Sequence, residues 1–469
     1  MEKVGQQYLK ELVARHLVSL TLMDYLICDN EFVTIHEHIH AFLCFQAQDT
    51  NFVEVHGGDD FLPLASARRL SLQNNISKYA ALDNHMPKLW SVLACFEKDE
   101  DTGEEEFITA GKSLICSSLS SHGAKSKRRN NSYIRQLLQG SHFLRVINIQ
   151  GLEVGLKLPN EIGNVLHLQY LGIKSCSLRE IPPSIGRLIN LQTLDVRGTN
   201  VTELPESFWQ ILTLRHVFGD GIILPRRVGR LKYIQTLESV TPDEKIGWDE
   251  NTLAEMLYLS CLFIWKLSAL NKDNLLAALN KLIHLKLLNL KGDVVPSIVF
   301  TQSLPRLEIM EIKGRLDMTS EINGICKSLP NLTQLSLENT EISQDFIDEL
   351  AMLPFLIDIA LYTGSYRGNK LTFKARGFHK LRTMVIGLEK LKTLEIEDSA
   401  LPMIEDPHIY VYSNDFEILI HGKRPKIVEK IRIEDENVFK KIKMISFDTD
   451  IFPLSKKEDQ NEQGNGVRQ

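Results

Sequence analysis

The sequence predicts an α/β solenoid, in which short parallel strands stack into one curved sheet behind a small helical amino-terminal segment. Three observations support this architecture. The composition is that of a folded chain, one motif recurs at a fixed step, and the first sixty residues lack that motif. The chain has 469 residues, of which 43% are hydrophobic and 24% are charged, as in globular and not in disordered proteins.

The charge balance and the amino terminus narrow the function classes. Lys and Arg total 54 against 60 Asp and Glu, a net charge of −6, which argues against nucleic acid as the main ligand. No stretch approaches the roughly 18 apolar residues that cross a bilayer. The start of the chain is charged and amphipathic, unlike a signal peptide, and the seven scattered cysteines form no C-x-x-C pair. We therefore expect a cytoplasmic or nuclear protein without a membrane span.

The repeated motif is clearest in the middle of the chain. Residues 168–173, 191–196 and 214–217 align as L-x-x-L-x-L at a step of 23 residues. An Ile-Pro or Leu-Pro dipeptide keeps the same step, at residues 158, 181 and 204. This is the pattern of a leucine-rich repeat, whose unit cannot bury its apolar face alone and therefore recurs.

The spacing within the motif predicts which side chains face inward. Its last two apolar residues are two positions apart, so they share one face of a short strand. Leu194 should be buried, whereas Asp195 should point into solvent on the concave side. Further strands are predicted at 70–72, 89–93, 144–149, 234–237, 285–290, 307–312, 332–337, 356–361, 381–386 and 391–396. Residues 240–284 and 400–450 are predicted to be degenerate repeats.

Three regions follow from these patterns: a partial winged-helix segment over 1–60, a leucine-rich-repeat domain over 61–452 and a disordered tail over 453–469. The repeat domain is interrupted near 97–131 by an acidic run and then a basic run, which are typical of a solvated loop. The tail has almost no apolar residue.

The first sixty residues predict a helix, a hairpin and a second helix. Apolar residues over 4–20 follow helical spacing. The β-prone pieces Tyr25–Cys28 and Phe32–Ile35 flank an Asp-Asn-Glu turn, and a second helix is predicted over 39–45. This order matches the end of a winged-helix unit.

Particular phrases resemble plant nucleotide-binding leucine-rich-repeat (NLR) disease-resistance proteins. Residues 8–18 and 33–37 resemble the winged-helix end of that family, and residues 67–72 and 391–402 resemble its repeats in cereal members. The resemblance extends from residue 1 to about 450. It implies that a nucleotide-binding domain and a signalling domain would precede residue 1, and neither is in this chain.

The resemblance also assigns a role to His36. In the family, a histidine in a His-Asp pair faces the β-phosphate of ADP, and here Glu37 replaces the aspartate. Because the chain has no phosphate loop, we expect His36 to be structural and expect no cofactor. The family also implies a protein partner: a pathogen effector, a guarded host protein or the nucleotide-binding domain itself.

Two motifs that suggest enzymes have simpler explanations. His36-Glu37-His38-Ile39-His40 matches the zinc-peptidase pattern H-E-x-x-H, but no third ligand follows it and only 35 residues precede it. Residues 110–113, Ala-Gly-Lys-Ser, end like a phosphate loop, but Glu106 stands where the loop needs glycine. No nucleophile lies in a G-x-S-x-G context. We expect neither a metal site nor an enzyme.

The residues between the leucines are the remaining candidates for function, because this face of a solenoid is the usual recognition surface. On the early strands they mix cations with aromatic rings, which suits a protein partner. The candidates are Tyr170, Gly172, Lys174, Thr193, Asp195, Arg197, His216, Phe218, Asn289, Lys291, Glu311, Lys313, Gln334, Ser336, Glu338, Asp358 and Tyr362.

The sequence thus favours a non-enzymatic recognition module that resembles the repeat region of a plant intracellular immune receptor and acts in defence against pathogens. A cytosolic substrate adaptor of a ubiquitin ligase is the alternative, although the F-box pattern is absent from residues 1–50. An extracellular receptor ectodomain would carry Gly-x-Ile-Pro, whereas residues 179–182 read Arg-Glu-Ile-Pro. The zinc peptidase is a distant fourth reading.

Overall fold

A computed structural model describes most of the repeat region and part of the amino-terminal segment. The described residues are 2–22, 31–50, 52–56, 68–73, 86–95, 134–151, 154–226, 228, 231–243, 245, 247–249, 251–253, 255–299, 302–317, 324–410, 412, 415–422, 432–433 and 442–445. The predicted acidic and basic runs near 97–131 and the predicted tail over 453–469 lie outside them. Among the described residues, no helix is both long and apolar enough to span a bilayer.

One parallel sheet of sixteen strands organises the described repeat region, and this confirms the predicted solenoid. We call it the main sheet. Its strands are β3 (Glu54–His56), β4 (Arg69–Gln73), β5 (Ser91–Cys95), β6 (Val146–Gln150), β7 (Tyr170–Lys174), β8 (Thr193–Asp195), β9 (His216–Ile223), β10 (Thr236–Thr241), β11 (Cys261–Leu267), β12 (Leu287–Val295), β13 (Ile309–Leu316), β14 (Gln334–Glu338), β15 (Asp358–Leu361), β17 (Thr383–Ile386), β19 (Asp406–Ile409) and β21 (Arg432–Ile433).

The leucines of the motif form the core between the main sheet and the return limbs. Leu171, Leu194 and Val217 pair in register across β7, β8 and β9, and all three side chains are buried. The equivalent apolar residues of neighbouring repeats are buried together, so the repeats share one continuous apolar core. The predicted inward orientation of Leu194 is confirmed.

The return limbs change character along the chain. Short 3-10 helices at Asn160–Asn164, Pro183–Arg187 and Phe208–Gln210 follow β6, β7 and β8, and they contact one another in sequence. Proline precedes the first two, because a residue without an N–H donor suits the start of a helix. Helices α3 (Lys272–Leu279), α4 (Ile325–Ser328) and α5 (Gln344–Leu350) serve the later repeats.

A second parallel sheet replaces the helices in the last repeats. It consists of β16 (Lys370–Phe373), β18 (Thr393–Ile396), β20 (Glu417–His421) and β22 (Ile442–Ile445). The predicted strand over 391–396 therefore exists, but it belongs to the second sheet and not to the concave one. The degenerate region over 400–450 contributes strands to both sheets, and β11 and α3 form an ordinary repeat within 240–284.

The amino-terminal segment contains helix α1 (Glu2–Ala14), an antiparallel pair of β1 (Ser19–Leu22) and β2 (Glu31–Thr34), and helix α2 (Glu37–Asp49). The order of helix, hairpin and helix is as predicted, but the first helix is shorter than the predicted range 4–20, and the strand that pairs with β2 is Ser19–Leu22, which begins within that range. His16 adopts a left-handed φ of 56°, and the Leu17 amide donates to the Leu12 carbonyl at 3.0 Å, which ends the helix. The predicted piece Tyr25–Cys28 lies outside the described residues.

Candidate functional site: the concave face of the main sheet

The register of the main sheet arranges the predicted candidates in rows across neighbouring strands. Tyr170, Thr193 and His216 form one row. Gly172, Asp195 and Phe218 form the next row, two residues further along each strand. Because β10 and β11 separate β9 from β12, the candidates divide into two groups, each on its own set of strands.

The first concave group consists of Tyr170, Lys174, Asp195, Arg197, His216 and Phe218, and Asp195 is its centre. The Arg197 guanidinium donates to both Asp195 carboxylate oxygens, at 3.0 and 2.8 Å. Lys174 Nζ lies 3.4 Å from Asp195 Oδ2, and the Tyr170 hydroxyl donates to the same oxygen at 3.4 Å. One carboxylate therefore holds two cations and a phenol in place.

This arrangement contradicts the expectation that Asp195 points into solvent, since only 1% of the residue is exposed. The register was correct, because Leu194 is buried on the other face. Side chains from its own strand and the preceding one cover the carboxylate. Burial raises the pKa of Asp195, but the hydrogen bonds and charge of Arg197 and the charge of Lys174 outweigh burial and lower it below its ordinary value.

The pKa values of the residues around Asp195 are also shifted. Burial, followed by the charge of Asp195, raises the pKa of Tyr170 to about 12. The hydrogen bond to Asp195 raises the pKa of Arg197. Burial also raises the pKa of Glu238. The charge of Arg197, 3.7 Å away, opposes this rise only in part. The guanidinium therefore stays charged and fixed in direction at any physiological pH.

Aromatic rings continue the group on β9. The Arg197 guanidinium lies 4.9 Å from the centroid of Phe218, within the range of a cation–π contact. The His216 ring stacks on Phe218 at 6.0 Å with an interplanar angle of 8°, and His216 Nδ1 lies 3.1 Å from Thr236 Oγ1. A cation and two stacked rings thus form one half-buried surface.

The second concave group consists of Asn289, Lys291, Glu311, Lys313 and Glu338 on β12, β13 and β14. Asn289 donates to Glu311, Lys291 Nζ lies 3.9 Å from Glu311, and Lys313 Nζ lies 2.6 Å from Glu338. Burial raises the pKa of Glu311, with Lys291 opposing that change. These charges neutralise one another within the group.

The remaining candidates lie beside the second group. Gln334 donates to Asp358 Oδ2 at 3.0 Å across β14 and β15, and Ser336 is buried next in the row after Glu311. Tyr362 follows β15, and burial raises the pKa of its hydroxyl, as do Tyr410 and nearby carboxylates. Gly172 is covered by the ring of Tyr170, since a Cβ there would lie 2.8 Å from Tyr170 Cε1.

Sequence reasoning missed three residues of this face. The candidates include no residue of β11, but Lys291 Nζ lies 5.5 Å from the ring centroid of Trp265 on the concave side. Glu238 and Tyr410 are not among the candidates. Glu238 lies 3.7 Å from Arg197, and burial and then the charge of Tyr410 raise the pKa of Tyr362. Period-two spacing along β11 from Cys261 would have found Trp265, whereas the other two depend on pairing between repeats.

The H-E-x-x-H pattern lies at the junction between β2 and α2, where the sequence predicts it. His36 precedes the helix, and the His38 amide donates to His36 Nδ1 at 3.3 Å. His40 Nε2 lies 3.6 Å from Cys44 Sγ. Within the described part of the chain, no three His, Cys, Asp or Glu side chains converge in a way that could hold a metal ion.

Comparison with known proteins assigns the repeats. The family model described as "leucine-rich repeat region" matches residues 127–435, which is more than half of the chain. The chain belongs to the leucine-rich repeat family. A solved leucine-rich repeat protein of Leptospira interrogans is 19% identical with a TM-score of 0.42, and the match covers 79% of this chain and 96% of that one.

The curated relatives of this leucine-rich repeat chain are plant disease-resistance proteins. The putative disease resistance RPP13-like protein 2 of Arabidopsis thaliana is 26% identical over 425 residues, which cover 86% of this chain and 44% of the relative. Disease resistance protein RPP13 of the same plant is 28% identical over 315 residues, or 64% of this chain and 35% of the relative. The chain thus spans less than half the length of these relatives, and the predicted resemblance to NLR-type repeat proteins is confirmed.

Proposed function

We propose that this leucine-rich repeat chain recognises a protein through the concave face of its main sheet, as part of a plant intracellular receptor that acts in defence against pathogens. The names of the curated relatives support the defence role. The first concave group supports the choice of surface. A cytoplasmic or nuclear location, where effectors and guarded host proteins meet such receptors, belongs to the same proposal.

The observation that carries the proposal is the fixed Arg197–Phe218 pair. Arg197 is oriented by two hydrogen bonds to Asp195 before any partner arrives, so binding would cost little side-chain entropy. Arginine and aromatic residues dominate the energetics of protein interfaces. Charges are paired within both groups, but the first concave group also places its arginine against the stacked rings of Phe218 and His216, so it is the better anchor.

Site-specific photocross-linking tests this function. The photoreactive residue p-benzoylphenylalanine replaces Thr193, which lies between Tyr170 and His216 of the first concave group, or Lys327 on α4 as a control position. The chain is expressed in leaf cells with and without pathogen challenge. We expect a protein adduct at position 193 that is lost in the Arg197→Ala/Phe218→Ala background. Equal adducts at both positions, or an adduct insensitive to the two substitutions, would contradict the proposal.

A further inference from the structure

The main sheet has a second distinctive surface at the amino-terminal ends of its strands. Before each of the strands β5 to β12, two turn residues lie four and three positions ahead of the first strand residue. Together with the residue just before each strand and the first strand residue itself, they form four rows of partly or fully exposed side chains. We call these rows, from β4 to β12, the basic edge.

The described residues of the basic edge include cations and no carboxylate, although the whole chain has more acidic than basic residues, 60 against 54. The first acid along this edge is Glu308, which precedes β13 and pairs with Lys286 at 3.7 Å. The cations of the edge are Arg68, Arg69, Lys88, Arg145, Arg215, Lys232 and Lys286.

Several of these cations rest on rings and not on carboxylates. Trp90 lies between Arg68 and Arg145, with each guanidinium 5.4 Å from a ring centroid. Arg69 lies 4.3 Å from the ring of Phe52. Cations held on aromatic faces remain available for an anion, since no ion pair joins Arg68, Arg69 or Arg145 to a carboxylate within the described part of the chain.

Exposed apolar side chains run beside the cations. Leu166, Ile189 and Leu212 lie four residues before β7, β8 and β9, and Ile189 is 68% exposed. Leu257 and Ile283 continue the row before β11 and β12. Neighbouring strands are about 4.8 Å apart, so these side chains form a ridge with two aliphatic parts, divided by Lys232 before β10.

Three stacked rings lie in the row next to the aliphatic side chains, before β10, β11 and β12. Tyr233 stacks on Tyr258 at 6.4 Å, and Tyr258 stacks on His284 at 5.9 Å, with interplanar angles of 17° and 10°. The rings therefore present edges and faces along the same line as the aliphatic side chains.

We propose that the basic edge docks an acidic protein segment that also carries aliphatic side chains. Apart from Lys286, which pairs with Glu308, the cations of the edge favour an anionic partner, and the exposed aliphatic side chains favour one with apolar groups. Nucleic acid would contact the cations and stack bases on the rings, but it would leave Ile189 and Leu212 without an aliphatic partner. This surface borders the concave face, with which it shares the row Tyr170, Thr193 and His216, and it adds a second contact to the proposed function, on which the inference rests.

Fluorescence anisotropy with defined probes tests the proposal. The probe is a labelled 21-residue peptide of three copies of Glu-Glu-Leu-Leu-Glu-Glu-Leu, and the counter-probes are a 21-residue polyglutamate and a 20-nucleotide single-stranded RNA. The charge variant is Arg145→Glu/Arg215→Glu/Lys232→Glu in the full chain. Its matched control, Lys327→Glu/Lys390→Glu/Lys392→Glu, makes the same net charge change away from the edge.

We expect the charge variant to weaken binding of the leucine-containing peptide at least tenfold, and the control variant to change it less than twofold. Ile189→Ser/Leu212→Ser, at exposed positions that leave the fold intact, should weaken that peptide at least fivefold without affecting polyglutamate. Equal loss in both charge variants, equal affinity for polyglutamate, or tighter RNA binding at this edge would overturn the proposal. None of these outcomes involves Arg197 or Phe218, so failure here is distinguishable from failure of the concave-face function.

Discussion

Replacing Asp195 by alanine should destabilise the middle repeats. The contacts of the first concave group allow the loss of unfolding free energy to be worked out. The substitution removes a carboxylate that accepts two hydrogen bonds from Arg197, one from Tyr170 and the charge of Lys174. It leaves the two half-buried cations close together without a shared counter-ion. An ordinary surface aspartate would cost less than about 0.5 kcal/mol.

The expected loss is about 2–3 kcal/mol of unfolding free energy. Breaking a fully buried ion pair costs roughly 3–5 kcal/mol, because an uncompensated charge remains. The Arg197 side chain is 37% exposed, so water compensates part of that penalty, and the expected loss lies at or below the low end of that range.

The pH dependence follows from the lowered pKa of Asp195. Its contribution is complete above the ordinary aspartate pKa of about 3.9 and is lost as the pH falls through the lower, folded-state value. The difference between the wild-type chain and Asp195→Ala should therefore be constant near neutrality and shrink in acid.

Hydrogen exchange resolved by mass spectrometry is the suitable assay, since a solenoid does not unfold as one unit. The increase in exchange should centre on residues 166–219. Asp358→Ala is the matched control, because Asp358 accepts one side-chain hydrogen bond, from Gln334, and its loss should cost less than about 1 kcal/mol. A change below about 0.5 kcal/mol for Asp195→Ala would refute the reasoning.

Four further outcomes are expected. Leu194→Ala, at a fully buried position, should cost about 2–5 kcal/mol and raise exchange in its own and the two flanking repeats; an unchanged exchange profile would exclude the assigned register. Gly172→Ala should cost about 1–3 kcal/mol and alter near-ultraviolet circular dichroism, because the new Cβ would displace the Tyr170 ring. In a spectrophotometric titration, Tyr170→Phe should remove a phenol that ionises near pH 12, owing to burial and then to the charge of Asp195; loss of one near pH 10 would contradict this. Elemental analysis should find no equimolar zinc, and zinc lost on His40→Ala would revive the peptidase reading.

The order and register of the strands could be predicted because they depend on local spacing. The apolar pairs of L-x-x-L-x-L located Leu171 and Leu194 on the buried face before any contact was known. The end of α1 was not predictable from periodicity, because it depends on the left-handed backbone at His16, whereas apolar residues continue to Val18.

The errors concern contacts between repeats. The burial of Asp195 depends on Lys174 and Tyr170, which are more than twenty residues away along the chain. Residues 391–396 carry the same motif as a concave strand, and only pairing with β16 and β20 assigns them to the second sheet. The basic edge was likewise invisible, because its rows exist only once the strands are in register.

The central claim is that the concave face of the main sheet recognises a protein. The measurement that tests it most directly is the dissociation constant of the cross-linked partner, by calorimetry, for the full chain and for Arg197→Ala/Phe218→Ala with an intact circular dichroism spectrum. The account predicts at least a tenfold weaker complex for the double variant. An unchanged dissociation constant would contradict the claim.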